Sequence, residues 1–116
     1  MAFYYEKAKP SSFESEMTSH IVVQCARKLG IQPPKVMFVK NSKAEAGYLL
    51  RHDIDGAGFA APALRTIYIG LPTTLFNMVK TIAHECWHIF EGDNGLSADE
   101  NKADLFADKA RAEIIG

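Results

Sequence analysis

The segment from Thr74 to Glu91 constrains the fold most, because its apolar residues recur with the period of an α-helix. These residues are Leu75, Met78, Val79, Ile82, Cys86, Ile89 and Phe90. An apolar stripe of this kind has to be covered by another layer of structure. Gly92 follows the segment directly and is a candidate C-cap. We therefore expect a long helix that is buried along one side.

Two further helices are predicted from capping boxes and periodicity. Ser11 with Glu14 fits a capping box, and apolar residues then recur every four positions up to Gly30. Ser97 with Glu100 fits a second capping box. The buried face of the helix that follows it would be formed by Ala103, Phe106, Ala107, Ala110 and Ile114. One helix would thus precede the central segment and one would follow it.

The remaining ordered segments have strand character. Lys35 to Lys40 and Arg65 to Ile69 are rich in β-branched and aromatic residues. Tyr48 to His52 and Ala57 to Ala61 flank an Asp-Gly dipeptide that suits a hairpin of two antiparallel strands. We therefore predict an α+β fold with a small, three- to four-stranded, mainly antiparallel sheet, an N-terminal helix and two C-terminal helices.

Length and composition favour a single domain. The chain has 116 residues, of which 47% are hydrophobic and 23% charged, which is typical of one globular domain spanning 1–116. Residues 1–10, which end at a proline, are expected to form an irregular lead-in. Cys25 and Cys86 match no C-x-x-C spacing, which favours a reducing compartment, although a bridge between them stays open.

Charge and hydropathy exclude two classes of partner at this stage. Thirteen Lys and Arg against fourteen Asp and Glu give a net charge of −1, without the basic excess of a protein that binds phosphates. We therefore expect no direct nucleic-acid binding. The start of the sequence lacks a signal-peptide pattern, and no apolar run approaches the roughly 18 residues of a membrane span. The expected location is cytoplasmic, without a membrane partner.

Residues 84–88 read His-Glu-Cys-Trp-His, which matches the H-E-x-x-H pattern inside the predicted central helix. At about 100° per residue, His84 and His88 lie roughly 40° apart on one helix face, with Glu85 beside them. Both imidazoles can then reach one ion while the carboxylate flanks it. The alternative interpretation is two surface histidines on an amphipathic helix.

A catalytic zinc usually has three protein ligands and one open position. The acidic residues that follow within sixteen positions are Glu91, Asp93, Asp99, Glu100 and Asp104. Glu100 is favoured, because an antiparallel helix beginning near Ser97 would return its first turn beside the histidines. Asp104 lies one turn later on the same face, where it can accept the second N–H of a ligating histidine. Alternatively, Glu100 only completes the capping box, and Asp104 and Asp108 form a solvated stripe.

These residues predict one Zn²⁺ per chain, with Glu85 as the general base of a hydrolytic reaction. The same ligand types also suit manganese, cobalt or iron, including the iron of a two-His-one-carboxylate oxygenase, but a glutamate inside the motif favours hydrolysis. Candidate oxyanion donors on the strands are Tyr48, His52 and Tyr68. An extended substrate could pair with the edge-strand residues Gly58, Phe59, Ala60 and Ala61.

The motif and the helix after it resemble the ImmA/IrrE-type metallopeptidases, which are small relatives of the gluzincins. The resemblance rests on HECWH at 84–88 and on the E-x-x-A-x-x-F-A pattern of Glu100 to Ala107. It implies a minimal zincin-like fold, ligation by His84, His88 and Glu100, and catalysis by Glu85. It also implies a cytoplasmic endopeptidase, whose typical substrate is a helix-turn-helix transcriptional repressor of phage, mobile-element or stress genes.

Three other functions stay open on the sequence. One is a SprT-like protease that works near DNA, which the near-neutral charge disfavours. Another is an adaptor of zincin-like fold that binds a partner without catalysis. The third is a helix–sheet domain without a metal. Substituting Glu85→Gln separates a protease from an adaptor, because only the protease loses its function.

Overall fold

A computed structural model describes residues 7–40 and 58–116 of the chain. Within them, three helices and a three-stranded sheet form an α+β fold, as predicted. The elements are α1 (Ser12–Leu29), β1 (Lys35–Lys40), β2 (Gly58–Ala61), β3 (Thr66–Leu71), α2 (Leu75–Asp93) and α3 (Glu100–Ile115). A short 3-10 helix, Pro62–Leu64, joins β2 to β3. No helix in these two ranges is long and apolar enough to cross a membrane.

The predicted start of α1 is confirmed. The Ser11 hydroxyl accepts the N–H of Glu14 at 3.1 Å, and the Glu14 carboxylate accepts the N–H of Ser11 at 2.8 Å. Gly30 ends the helix with a φ of +68°, a conformation that glycine adopts without a steric penalty. At α2, the Thr74 hydroxyl caps the helix by accepting the N–H of Asn77 at 3.2 Å. Side-chain caps therefore fix where both helices begin.

The predicted end of α2 at Gly92 is wrong. The helix continues to Asp93, and the left-handed position falls on Gly95, with a φ of +66°. The N–H of Leu96 then reaches back to the carbonyl of Glu91 at 2.8 Å, and the N–H of Gly95 to that of Gly92 at 3.3 Å. These two bonds form a Schellman motif, which satisfies the last carbonyls only when the glycine lies at residue 95.

The predicted capping box at Ser97 is also wrong. Asp99 is the N-cap of α3, and its carboxylate accepts the N–H of Lys102 at 3.0 Å. An aspartate caps a helix as well as a serine does, and the Schellman turn leaves Asp99 as the last extended residue. The side chain of Glu100 is consequently not used for capping.

The sheet is mixed rather than mainly antiparallel, which corrects the sequence prediction. The strand order is β1-β3-β2; β1 runs parallel to β3 and β2 runs antiparallel to it. About 25 residues separate β1 from β3, which is long enough for the crossover that a parallel pair needs. Strand periodicity alone cannot reveal which strands become neighbours. The predicted arm Tyr48 to His52 lies outside the described residues.

The hydrophobic core lies between β3 and the helices. All six residues of β3 are buried, and alternate ones, Ile67, Ile69 and Leu71, join the core with α1 and α2. Helix α2 contacts α1, α3, β2 and β3, and its residues Ile82 and Ile89 are fully buried. Because α2 is held from several sides, the face that carries the H-E-x-x-H residues is fixed in position.

Candidate metal centre

His84 and His88 lie on consecutive turns of α2 and turn the same ring nitrogen toward each other. Their Nε2 atoms are 3.2 Å apart, and their ring centroids are 4.9 Å apart. The two side chains are 15% and 12% exposed, so both rings are largely sheltered but reachable. The helical spacing thus has the geometric effect expected from the sequence.

Glu100 contacts both of these nitrogens from the first turn of α3. One carboxylate oxygen lies 2.9 Å from Nε2 of His84, and the other lies 3.0 Å from Nε2 of His88. Helix α3 packs against α2 through buried alanines, which allow a close approach of the two backbones; these are Ala103, Ala107 and Ala110. The alternative that Glu100 only completes a capping box is therefore wrong.

Each histidine is held by a carboxylate at its other nitrogen. Oδ1 of Asp104 lies 2.8 Å from Nδ1 of His84, which is the contact predicted for this residue. Oε1 of Glu91 lies 2.7 Å from Nδ1 of His88. A carboxylate accepts a hydrogen bond only, so these two contacts call for a proton on each Nδ1, while the Glu100 contacts call for a proton or a cation at each Nε2. With the protons on Nδ1, both Nε2 atoms present lone pairs.

The role of Glu91 was not foreseen from the sequence, where this residue was considered only as a possible ligand. It is 4% exposed, and its second oxygen accepts the N–H of Asp99 at 2.8 Å. The i, i+3 spacing from His88 is the one signal that could have indicated the contact.

The arrangement of lone pairs fits a cation. Two Nε2 lone pairs and a carboxylate converge within about 3 Å of one another, and without a positive charge between them they repel. Nitrogen and oxygen ligands at about 2.0–2.1 Å from one zinc ion are themselves about 3.3 Å apart in a tetrahedral arrangement. The spacing observed here is close to that value, so these three side chains can hold zinc.

Glu85 lies beside the same centre. It is 5% exposed, and one of its carboxylate oxygens lies within 4.8 Å of ligand atoms of both His84 and His88. His84, Glu85 and His88 therefore form a group that could hold a metal ion. Glu100 is in direct contact with both Nε2 atoms, so its carboxylate could contribute a further donor to this group.

The other residues of the motif pack into the protein. Cys86 and Cys25 are fully buried free thiols. A hydrogen bond with Cys25 and burial raise the pKa of Cys86 well above its usual range, so it stays a protonated thiol and not a ligand. Trp87 packs against Phe90 and Phe106, with ring centroids 5.0 and 5.7 Å away, and so supports the contact between α2 and α3.

Several predicted residues do not join this cluster. Asp93, an alternative third ligand, forms a two-pronged ion pair with Arg65, with contacts of 2.8 and 3.0 Å. Tyr68 is buried in β3, and strand alternation places it on the opposite face from Ile67 and Ile69, so its role as an oxyanion donor stays a prediction. Tyr48 and His52 lie outside the described residues.

The predicted substrate strand lies next to α2, the helix that carries the two histidines. Gly58, Phe59, Ala60 and Ala61 form β2, which pairs with β3 and packs against α2. A Cβ on Gly58 would lie 2.6 Å from Cγ2 of Thr81, which is one turn of α2 before His84. The strand is the last one in the described sheet on that side.

No protein-family model, curated protein or solved structure matches this chain. The likeness to the ImmA/IrrE-type metallopeptidases therefore rests on the residues of the chain alone.

Proposed function

We propose that this chain is a zinc-dependent endopeptidase, with His84, His88 and Glu100 as metal ligands and Glu85 as the general base. The observation that carries the proposal is the meeting of two imidazole Nε2 atoms and a carboxylate within about 3 Å. Asp104 and Glu91 support it, because each can accept a hydrogen bond from Nδ1–H of one histidine, which is the tautomer that can bind a metal through Nε2.

Zinc supplies two effects when bound to such ligands: it lowers the pKa of a bound water toward 7 and polarises a carbonyl group. Glu85 would accept a proton from the attacking water and deliver it to the leaving amine. Its burial beside the ligands keeps that carboxylate close to the reacting atoms. An iron oxygenase with the same ligand types has no need of this base, which favours hydrolysis.

The proposed substrate is a protein segment in extended conformation. The small residues of β2 leave space for a second backbone, and an extended peptide can add to a sheet edge through main-chain hydrogen bonds. By its resemblance to ImmA/IrrE-type enzymes, we propose a cytoplasmic transcriptional repressor of the helix-turn-helix class as the natural target. The proposed overall architecture is accordingly zincin-like.

The metal site is tested by elemental mass spectrometry on protein purified without a histidine tag. We expect about one zinc per wild-type chain, and loss of that zinc in both His84→Ala and Glu100→Ala. Asp108→Asn is the matched control on α3, because Asp108 pairs with Lys80 instead of the histidines. Absence of metal even after reconstitution with zinc would overturn the proposal. Retention of zinc by Glu100→Ala would move the third ligand to another carboxylate.

Catalysis is tested with Glu85→Gln, which changes the base but none of the three proposed ligands. Against a library of unstructured peptides, we expect activity to fall by about 10²–10⁴-fold while the zinc content stays unchanged. Asp108→Asn again serves as the control and should cleave like wild type. A zinc-loaded wild type that cleaves nothing in the library would favour the adaptor function. Cleavage that depends on added DNA would favour the SprT-like alternative.

A further inference from the structure

Both carboxylate oxygens of Glu91 contact other residues of the protein. Its side chain is 5% exposed; Oε1 contacts Nδ1 of His88 at 2.7 Å, and Oε2 accepts the N–H of Asp99 at 2.8 Å. A buried carboxylate is costly unless it is fully hydrogen-bonded. The two contacts therefore act together on one side chain.

The backbone of Glu91 organises the same turn. Its carbonyl accepts the N–H of Leu96 at 2.8 Å and that of Asn94 at 3.2 Å, which closes the end of α2. Asp99, held by the Glu91 side chain, is in turn the N-cap of α3. One residue thus fixes both ends of the connection between the two helices.

The contacts of Glu91 are part of a ring of contacts that begins and ends at His88. His88 contacts Glu91, Glu91 contacts Asp99, and the residue after Asp99 is Glu100, whose carboxylate returns to Nε2 of His88. Asp104 makes a comparable contact with His84, but its side chain is 59% exposed and it accepts no backbone N–H from the connection in the contacts described.

We propose that Glu91 is a positioning residue. It orients the His88 ring and, through Asp99, places the Glu100 carboxylate beside Nε2 of that ring. This inference rests on the proposed metal site. Glu91 would not touch the metal or the substrate; it would act by holding one ligand in its metal-binding tautomer and another at the correct place along α3.

Glu91→Gln is the informative change, because glutamine has nearly the same shape but only one acceptor oxygen. If that oxygen keeps the Asp99 N–H, the amide NH₂ faces Nδ1 of His88 and favours the ring with its proton on Nε2. A ring in that tautomer has no Nε2 lone pair for a metal. The opposite orientation keeps the tautomer but releases Asp99 and the start of α3.

The first measurement is ¹⁵N NMR of the histidine rings in the metal-free protein at mildly alkaline pH. We expect Nδ1–H for His88 in wild type and a shift toward Nε2–H in Glu91→Gln. His20, which is exposed and contacts Gln24, is the internal control and should not change. Nε2–H for His88 in wild type would overturn the inference without any variant, and a folded Glu91→Gln in which both the His88 tautomer and the Asp99 backbone amide signal are unchanged would overturn it as well.

The second measurement is zinc affinity by competition with a chromophoric chelator. We expect Glu91→Gln to weaken binding by about 10–100-fold, and Asp104→Asn to weaken it less because Asp104 is exposed. Glu91→Asp keeps the charge but is one methylene shorter; we expect it to recover only part of the affinity, because it cannot span both partners. A folded Glu91→Gln with wild-type affinity and a lower unfolding temperature would reduce Glu91 to a structural role.

The two proposals fail in different ways. A wild type that binds no zinc contradicts the proposed function, while the His88 tautomer still reports on Glu91. If wild type binds zinc and Glu91→Gln binds it equally tightly, only the positioning role of Glu91 is contradicted.

Discussion

At the residue scale, the proposed metal site depends on hydrogen bonds at Nδ1 of each histidine, because these affect whether Nε2 has a lone pair for a metal. Asp104 and Glu91 lie at hydrogen-bond distance from Nδ1 of His84 and His88, and a proton on each Nδ1 leaves an Nε2 lone pair on each ring beside Glu100. The H-E-x-x-H spacing was enough to predict that the two rings share a face. Glu91 could not be assigned this way, because its role depends on Asp99, which reaches it only through the turn after α2.

Gly58 gives a prediction at the same scale. A Cβ at this position would lie 2.5 Å from the carbonyl oxygen of Tyr68 and 2.6 Å from Cγ2 of Thr81. We expect Gly58→Ala to lower the free energy of unfolding by about 1–3 kcal/mol, measured by urea denaturation. Adding Thr81→Ser, which removes Cγ2, should restore part of the loss only, since the Tyr68 carbonyl stays. Equal stability of Gly58→Ala and wild type would show that β2 lies farther from α2.

At the element scale, both ends of α1 were predictable, whereas the end of α2 and the start of α3 were not. The capping box of Ser11 and Glu14 was confirmed because its hydrogen bonds are local to four residues. The end of α2 depends on which of two glycines, Gly92 or Gly95, takes the left-handed conformation, and that choice depends on the whole turn. The prediction of a mainly antiparallel sheet was wrong for a similar reason, since a strand's own pattern does not specify its neighbours or their direction.

The bidentate ion pair between Arg65 and Asp93 connects three parts of the fold, and it leads to a prediction about how stability depends on pH. Arg65, just before β3, contacts Asp93 at the end of α2 at 2.8 and 3.0 Å, and it donates to the carbonyl of Gln32 before β1 at 2.7 Å. The hydrogen bond from Arg65 lowers the pKa of Asp93 below its usual 3.8. Asp93 therefore contributes stability above that pH, and the contribution is lost as the pH falls through the lowered value.

We expect Asp93→Asn to be less stable than wild type by about 1 kcal/mol at neutral pH, as is typical for a partly exposed pair. The difference should begin to shrink as the pH falls below the usual carboxyl pKa of 3.8 and continue to shrink through the lowered pKa of Asp93, because the unfolded chain takes up the proton before the folded chain does. Urea denaturation at a series of pH values measures both. Asp108→Asn removes a single, more exposed contact with Lys80 and should cost less. A difference that stays constant down to strongly acidic pH would contradict this account.

At the scale of the whole molecule, one helix contributes both to the core and to the proposed metal site. Ile82 and Ile89 of α2 are fully buried, while His84 and His88 lie on another side of the same helix. An ion that binds the folded chain and not the unfolded one therefore stabilises the entire domain.

We expect zinc at about a thousandfold excess over its dissociation constant to add roughly 4 kcal/mol to the free energy of unfolding. For a domain of this size, that corresponds to a rise in unfolding temperature on the order of ten degrees or more. Scanning calorimetry with zinc and with a chelator measures the shift. Glu100→Gln should lose most of it, whereas Asp108→Asn should keep it. Equal unfolding temperatures with zinc and with chelator would contradict the coupling.

The placement of the ligands along the chain has a consequence for how such a protein can change. His84 and Glu100 are sixteen positions apart, within a single helical hairpin, whereas β1 pairs with β3 across about 30 residues. The donor set thus belongs to a short contiguous piece of sequence, and the sheet is assembled from distant ones. Substitutions confined to 84–104 can remove, retune or restore ion binding without altering strand pairing. Ion binding and strand pairing in this chain can therefore evolve independently of each other.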